Sequence, residues 1–231
     1  LRAYATHIGR EVALKVTLAD SENDFCADPE KSPAHKSPKR TPTPRDTSRF
    51  LREARIAGRL NHPYIVPVHE IARRADGTVY YTMRFVSGKT LSEHFKAGKT
   101  IAERLQLLPN FLDLCQAMAY AHSLGVIHRD LKPANVVLGE WGETVVLDWG
   151  LAKATAKQDG EQTDADLRAP AGNPLETMPG SPLGTPAYMS PEQAAGELEN
   201  VDERSDVWSL GAILYQMLTG QPPFRGDNAY D

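Results

Sequence analysis

The chain alternates between segments with regular hydrophobic spacing and segments with none. Residues 11–18, EVALKVTL, are rich in β-branched residues and predict a strand. Residues of about 20–46 are polar and proline-rich, and we expect a disordered insertion because they offer too few apolar positions for a core. Helical spacing follows the candidate N-caps Thr47 and Ser48 and stops at Asn61-His62-Pro63. Its apolar face consists of Phe50, Ala54, Ala57 and Leu60.

Later segments continue this pattern. Two strand-like runs, residues 65–72 and 79–86, are separated by a turn at Asp76-Gly77. Residues 101–124 have helical spacing with an interruption near Pro109, and short strands follow at VIH, NVVLG and TVVLD. This order predicts an α+β fold, in which a small antiparallel β lobe with one helix lies on a larger, mainly helical lobe.

The last third begins with another segment that lacks periodicity. It covers residues 155–182, and SDVWSLGAILYQMLTG then predicts a buried helix closed by Gly220. The 231 residues are 41% hydrophobic, which supports a folded core, and the net charge of −4 argues against general nucleic-acid binding.

The two cysteines indicate the redox environment in which the protein works. Cys26 and Cys115 have no metal-ligand spacing, so we expect a reducing, cytoplasmic environment. No apolar run reaches the length of a membrane span, so the sequence does not indicate a membrane partner. The chain begins at Leu1 without an initiator methionine, so we expect a piece of a longer protein, whose membrane anchoring stays open.

Candidate chemistry is concentrated in residues 128–135, HRDLKPAN. This run resembles the catalytic loop of the protein kinases. Phosphoryl transfer needs a carboxylate beside the incoming hydroxyl, and Asp130 fits this role. Asn135 offers an oxygen ligand for Mg²⁺, and Lys132 can neutralise charge that grows on the γ-phosphate of ATP.

A second carboxylate follows the strand TVVLD. Asp148-Trp149-Gly150 resembles the D-F-G element of kinases, with Trp in place of Phe. A carboxylate at a strand end followed by glycine can place a metal between ATP phosphates. Asp148 and Asn135 are therefore the candidate ligands of Mg²⁺ or Mn²⁺.

Residues 12–15, VALK, resemble the V-A-I-K strand that binds ATP phosphates through its lysine. Alternation along the strand places Ala13 and Lys15 on one face, where Ala13 can lie against the adenine. Lys15 needs a carboxylate partner, and Glu53 is the only acidic residue of RFLREARIAGRL. A local Arg49–Glu53 pair one helical turn apart is the alternative.

Two further motifs extend the resemblance. Residues 184–192, GTPAYMSPE, are similar to the end of a kinase activation segment, and residues 206–211, DVWSLG, are similar to the start of its large buried helix. There Asp206 would accept hydrogen bonds from the backbone of the catalytic loop. The chain thus resembles bacterial serine/threonine protein kinases from about Glu11 to Gly220.

The resemblance implies a two-lobed kinase fold and an ATP site. Residues 1–86 would form the N-terminal lobe and residues 87–231 the C-terminal lobe, with the activation segment at residues 148–192. The resemblance places Met83 as gatekeeper and Arg84 to Val86 as the hinge that binds adenine through its backbone. The candidate nucleotide-binding residues are Ala13, Lys15, Met83, Arg84, Val86 and Val137.

The resemblance also implies control by phosphorylation of the activation segment. A phosphate there would be bound by Arg129, with further positive charge from Arg49 and Lys153. Ser181 is the expected acceptor, and Thr177 and Thr163 are alternatives. Thr185 is expected near Asp130 and Lys132 instead.

The chain departs from the kinase pattern at several points. The glycine-rich loop and the helices after Gly220 are missing, together with the arginine expected to pair with Glu192, so we expect residues 1–231 alone to be inactive. Trp149 is larger than Phe whereas Ala57 is small, and this exchange is expected to conserve volume.

Two other functions remain as alternatives, a pseudokinase that binds without turnover and a small-molecule phosphotransferase. The first is disfavoured because the key polar residues are present, and the second because L-K-P and the GTPAYMSPE segment are present.

Overall fold

A computed structural model describes residues 1–5, 9–17, 43–154 and 185–224. Within these ranges an antiparallel sheet with one helix packs beside a mainly helical part, which confirms the predicted α+β architecture. The lobe boundary between residues 86 and 87 stays a prediction. Among the helices of these ranges, none combines the length and the apolar character of a membrane span.

The larger sheet has the strand order β1-β2-β4-β3, and all neighbouring strands are antiparallel. Its strands are β1 (Arg2–Ala5), β2 (Arg10–Val16), β3 (Val68–Arg73) and β4 (Val79–Arg84). Gly9 precedes β2 with a φ of 65°, a left-handed conformation that glycine adopts without steric cost. Strand β3 starts after Pro67, later than predicted, since proline has no amide hydrogen to donate to the sheet.

Helix α1 spans Pro44–Arg59 and is longer at its N-terminus than predicted. Thr43 is the N-cap, and it forms a capping box with Asp46. The prediction of disorder is therefore wrong for residues 44–46, whereas residues 20–42 of the expected insertion lie outside the described residues. The predicted apolar face of the helix is confirmed, because all four of its residues are buried.

The rest of the described chain is mainly helical. The helices are α2 (Leu91–Ala97), α3 (Ile101–Leu105), α4 (Leu108–Ser123), α5 (Pro191–Ala194) and α6 (Glu203–Thr219). Pro109 lies in the first turn of α4, so the predicted interruption falls just before it. Gly220 closes α6 with a φ of 80°, as expected.

Short strands join these helices. They are β5 (Gly88–Thr90), β6 (Val126–Ile127), β7 (Val136–Gly139), β8 (Thr144–Val146) and β9 (Lys153–Ala154), which form a β5-β7-β8 sheet and a β6-β9 pair. The backbone of Val146 bonds to Tyr64 and Val66, at 2.7 and 3.1 Å, just after α1. This contact fixes the end of β8, and with it the start of Asp148-Trp149-Gly150, against the segment that follows α1.

Candidate active site

The loop between β6 and β7 carries the predicted catalytic motif, and α6 holds its backbone. The buried carboxylate of Asp206 accepts hydrogen bonds from the amides of His128 and Arg129, at 2.8 and 2.9 Å. Arg129 has a φ of 68°, a left-handed conformation that is unfavourable for a residue with a side chain. The two bonds therefore stabilise a strained turn just before Asp130, and the predicted role of Asp206 is confirmed.

Asp130, Lys132 and Thr185 form a closed set of polar contacts. The Lys132 ammonium donates to Asp130 Oδ2 at 2.8 Å and to the Thr185 hydroxyl at 2.7 Å. That hydroxyl in turn lies 3.1 Å from Asp130 Oδ1. The structure thus brings Thr185 to the two residues beside which the sequence placed it.

Asn135 and Asp148 supply the oxygen atoms expected of metal ligands. Asn135 donates its amide nitrogen to the carbonyl of Asp130 at 2.9 Å, so its amide oxygen is the atom that a cation would take. Asp148 has a φ of 56°, another left-handed residue that is not glycine. Among the described residues, no group of three or more His, Cys, Asp or Glu side chains is arranged to hold a metal unaided. Two oxygen ligands fit a cation whose coordination is completed by phosphate and water.

Lys15 links helix α1 to Asp148. Its ammonium lies 2.5 Å from Glu53 Oε1 and 2.9 Å from Asp148 Oδ1. Burial alone would lower the pKa of Lys15, but the charges of Asp148 and Glu53 outweigh burial and raise it. The same ion pair outweighs the burial of Asp148 and lowers the pKa of that carboxyl. Lys15 is therefore a cation in its site, and the alternative Arg49–Glu53 pair is not among the described ion pairs.

Gly150 lets α1 approach this site closely. A side-chain carbon at this position would lie 3.1 Å from Asp148 Oδ1 and 3.2 Å from Glu53 Oε2. A cavity of about 350 Å³ opens beside these groups, and its lining includes Lys15, Glu53, Asp130 and Asp148. The structure thus brings the sequence-predicted polar residues to one cleft.

Comparison with known proteins agrees with this geometry. The family model described as protein kinase domain matches residues 26–231. The chain belongs to the protein kinase family.

Curated relatives of the chain include bacterial serine/threonine kinases. A serine/threonine-protein kinase PknD of Protochlamydia amoebophila is 42% identical over 194 residues, which cover 79% of this chain and 20% of the relative. A serine/threonine-protein kinase PknB of Mycolicibacterium smegmatis is 38% identical over 222 residues, which cover 95% of this chain and 30% of the relative. The chain thus spans between a fifth and a third of the length of these curated relatives.

The residues predicted to bind adenine lie on or next to the larger sheet and on β7. Ala13 on β2 and Met83 on β4 are direct cross-strand partners, and Val137 on β7 is buried. Val86 follows the end of β4 and is partly buried. The role of these residues in binding adenine stays a prediction.

The Arg84 side chain adds a contact that the sequence did not indicate. It reaches Glu143 at 3.1 Å, in the turn between β7 and β8. An ion pair thus links the end of β4 to the turn between β7 and β8.

Trp149 fills a place in the core of the kinase fold. Its side chain is 1% exposed and belongs to the same buried cluster as Ala57, and its ring packs in a tilted arrangement with its centroid 4.8 Å from that of His128. The indole nitrogen of Trp149 is buried, and it has no hydrogen-bond partner among the described residues. The clustering agrees with an exchange of volume between Trp149 and Ala57, and that exchange stays a prediction.

The regulatory residues are only partly described. Arg129 is buried, and burial together with the nearby cations Arg52 and Arg49 lowers its pKa to about 10. Its side chain donates to the carbonyl of Leu151 at 2.5 Å. Lys153 lies in β9 opposite Ile127, and its side chain is not described. Thr163, Thr177 and Ser181 lie outside the described residues.

Three polar residues at or near the site were not predicted from the sequence. Gln193 donates to the carbonyl of Arg129 at 2.6 Å, Tyr81 donates to Glu53 at 2.7 Å, and Arg52 lies near Arg129. Tyr81 alternates with Met83 along β4, and this periodicity could have placed it on the Lys15 face. Gln193 carries no comparable signal, because its contact depends on how α5 packs on the catalytic loop.

The side chain of Glu192 is bonded to helix α6. Its carboxylate accepts a hydrogen bond from the hydroxyl of Ser205, the residue before Asp206. Burial alone would raise the pKa of Glu192, but hydrogen bonds from Ser205 and Ser190 outweigh it and lower the pKa. The end of the activation segment is therefore connected to the helix that anchors the catalytic loop.

Proposed function

We propose that the intact protein transfers the γ-phosphate of Mg·ATP to serine and threonine hydroxyls of protein substrates. The observation that carries this proposal is the contact of Thr185 with both Asp130 and Lys132. It places the end of the activation segment, where a protein substrate would lie, beside the candidate base. A cytoplasmic site of action is part of the proposal, since ATP is the phosphate donor.

Each polar residue has a distinct role in this proposal. Asp130 accepts or orients the proton of the substrate hydroxyl, and Lys132 stabilises negative charge on the transferred phosphate. Lys15, oriented by Glu53, binds the phosphates of ATP. Asn135 and Asp148 would hold Mg²⁺ or Mn²⁺, since both cations prefer oxygen ligands. The bound cation would neutralise phosphate charge during transfer.

Two alternatives fit the structure less well. A pseudokinase would not require Lys15, Asp130, Asn135 and Asp148 to be placed together. A small-molecule phosphotransferase would not require residues 185–189 to pack on the catalytic loop and on α6. Ser209 of α6 bonds to the carbonyl of Tyr188 at 2.8 Å, and Tyr188 bonds to Gln216 at 2.7 Å. These contacts support a surface that receives a peptide.

The function is tested with Asp148→Asn in the intact protein. The loss of a charged metal ligand should weaken Mg·ATP binding about tenfold, with little effect on ATP binding without Mg²⁺. Phosphate transfer to a protein substrate should fall at least as much. Calorimetry with and without Mg²⁺ and a phosphotransfer assay measure these effects.

Asp76→Asn, in the exposed turn between β3 and β4, is the matched control and should behave as wild type. Equal Mg·ATP affinity in wild type and Asp148→Asn would contradict the metal site. Wild-type binding without transfer to any protein would support the pseudokinase, and transfer only to small molecules would support the other alternative.

We also propose that phosphorylation of the activation segment activates the enzyme through Arg129, Arg49 and Arg52. Three nearby cations repel one another, and a phosphate of about −2 charge would draw them together and dock α1. We therefore expect Arg52→Ala to reduce the activation by phosphorylation roughly several-fold. Arg55→Ala is the control, since Arg55 is an exposed arginine of the same helix and is not among the cations that lower the pKa of Arg129.

Phosphosite mapping of active and phosphatase-treated protein identifies the acceptor, with Ser181→Ala and Thr177→Ala as tests. Full activity of the phosphate-free double variant would exclude this regulation.

A further inference from the structure

Tyr81 occupies an unusual place beside the catalytic ion pair. It lies on β4 directly opposite Lys15 of β2, and opposed residues of antiparallel strands project from the same face. Its side chain is 3% exposed, and its hydroxyl donates to Glu53 Oε1 at 2.7 Å. The same carboxylate oxygen receives the Lys15 ammonium at 2.5 Å. Glu53 is therefore held by two donors from neighbouring strands.

The ring of Tyr81 makes a second contact with helix α1. Its centroid lies 5.0 Å from that of Phe50, three residues before Glu53. Both rings belong to a small buried cluster with Ala54 and Val79, between the helix and the sheet. Tyr81 thus contacts α1 at two points, one apolar and one polar, and these points define both the position and the rotation of the helix.

The hydroxyl of Tyr81 keeps its proton at neutral pH and therefore remains a hydrogen-bond donor. Burial and the negative charge of Glu53 raise the pKa of Tyr81 above its ordinary value. If α1 moved outward, this hydroxyl would lose its acceptor and the ring would lose its contact with Phe50, and both losses are unfavourable. The contact therefore favours the inward position of Glu53, and none of its atoms belongs to the activation segment.

We propose that Tyr81 is a positioning residue that orients Glu53 toward Lys15 and holds α1 in its catalytic position. This inference rests on the proposed roles of Lys15 and Glu53 in ATP binding. The competing interpretation is a hydrogen bond that contributes only to the stability of the sheet–helix interface. The two interpretations differ in their kinetic consequences.

Tyr81→Phe in the intact protein removes the hydroxyl and keeps the ring. We expect kcat/KM for ATP to fall about tenfold, the scale of one hydrogen bond to a charged group, with a change in melting temperature of only a few degrees. Tyr80→Phe is the matched control, since its neighbour Tyr80 projects from the other face of β4, near Arg74. Tyr80→Phe should leave kcat/KM unchanged.

A double-variant cycle with Glu53→Gln tests the route of the effect. If Tyr81 acts through Glu53, Tyr81→Phe should lower kcat/KM less than about twofold further in the Glu53→Gln background. Full additivity, or a lower melting temperature with unchanged kcat/KM, would overturn the proposal for Tyr81 alone. Wild-type kinetics of Glu53→Gln would overturn both this proposal and the assignment of the Lys15–Glu53 pair.

Discussion

Asp130→Asn is expected to lower kcat by about 10²-fold or more, because an amide cannot accept the proton of the substrate hydroxyl. The affinity for Mg·ATP should change little. Asn keeps one acceptor oxygen for Lys132, and its NH₂ group can donate to the Thr185 hydroxyl, so the geometry around the loop should persist. Steady-state kinetics and nucleotide titration of the intact protein measure both quantities.

The same substitution at Asp76, an exposed turn residue, serves as the control for this result. Activity of Asp130→Asn near that of wild type would contradict the assignment of the base. A fall in ATP affinity equal to the fall in kcat would instead indicate that the substitution disturbs the whole cleft.

Asp206→Asn should impair both stability and activity, although Asp206 does not touch the cleft. Its carboxylate is fully buried and accepts hydrogen bonds from two backbone amides. It also lies 2.8 Å from a ring nitrogen of His122. An asparagine would turn an NH₂ group toward one of these donors, which would lose its acceptor. We expect a loss of about 3 kcal/mol in the free energy of unfolding, equivalent to roughly 6–12 °C in melting temperature.

Catalysis should suffer as well, because the left-handed turn at Arg129 would lose one of its two restraints. Asp202→Asn is a matched control at the start of the same helix, since asparagine caps helices about as well as aspartate. Thermal unfolding and kcat at a temperature where both variants are folded separate the two effects. An unchanged melting temperature together with an unchanged kcat in Asp206→Asn would show that the three contacts contribute neither to stability nor to catalysis.

Several elements were predictable because their signals are local. The apolar face of α1 follows from helical periodicity, and Gly220 marks a helix end because glycine adopts a positive φ without steric cost. The start of α1 was predicted four or five residues late, because its N-cap is Thr43 and not Thr47 or Ser48. The signal at Thr43 and Asp46 was present, but it lay inside a segment dominated by proline and charge.

The sequence was less informative for short elements. Strand β5 and helix α2 span three and seven residues, too few for periodicity to be visible. Thr90 and Glu93 form a capping box at the start of α2, and this pattern could have revealed the helix.

The chain's own residues determined the chemistry of the site and its order along the sequence. Lys15, Glu53, Asp130, Asn135 and Asp148 could be named before any contact was known, because phosphoryl transfer requires their particular functional groups. Only the tertiary structure determined which side chains bond to the same acceptor atom. Tyr81 and Lys15 meet on one oxygen of Glu53 because strand register and helix rotation bring three distant segments together. Such contacts depend on long-range packing, for which spacing along one sequence carries no signal.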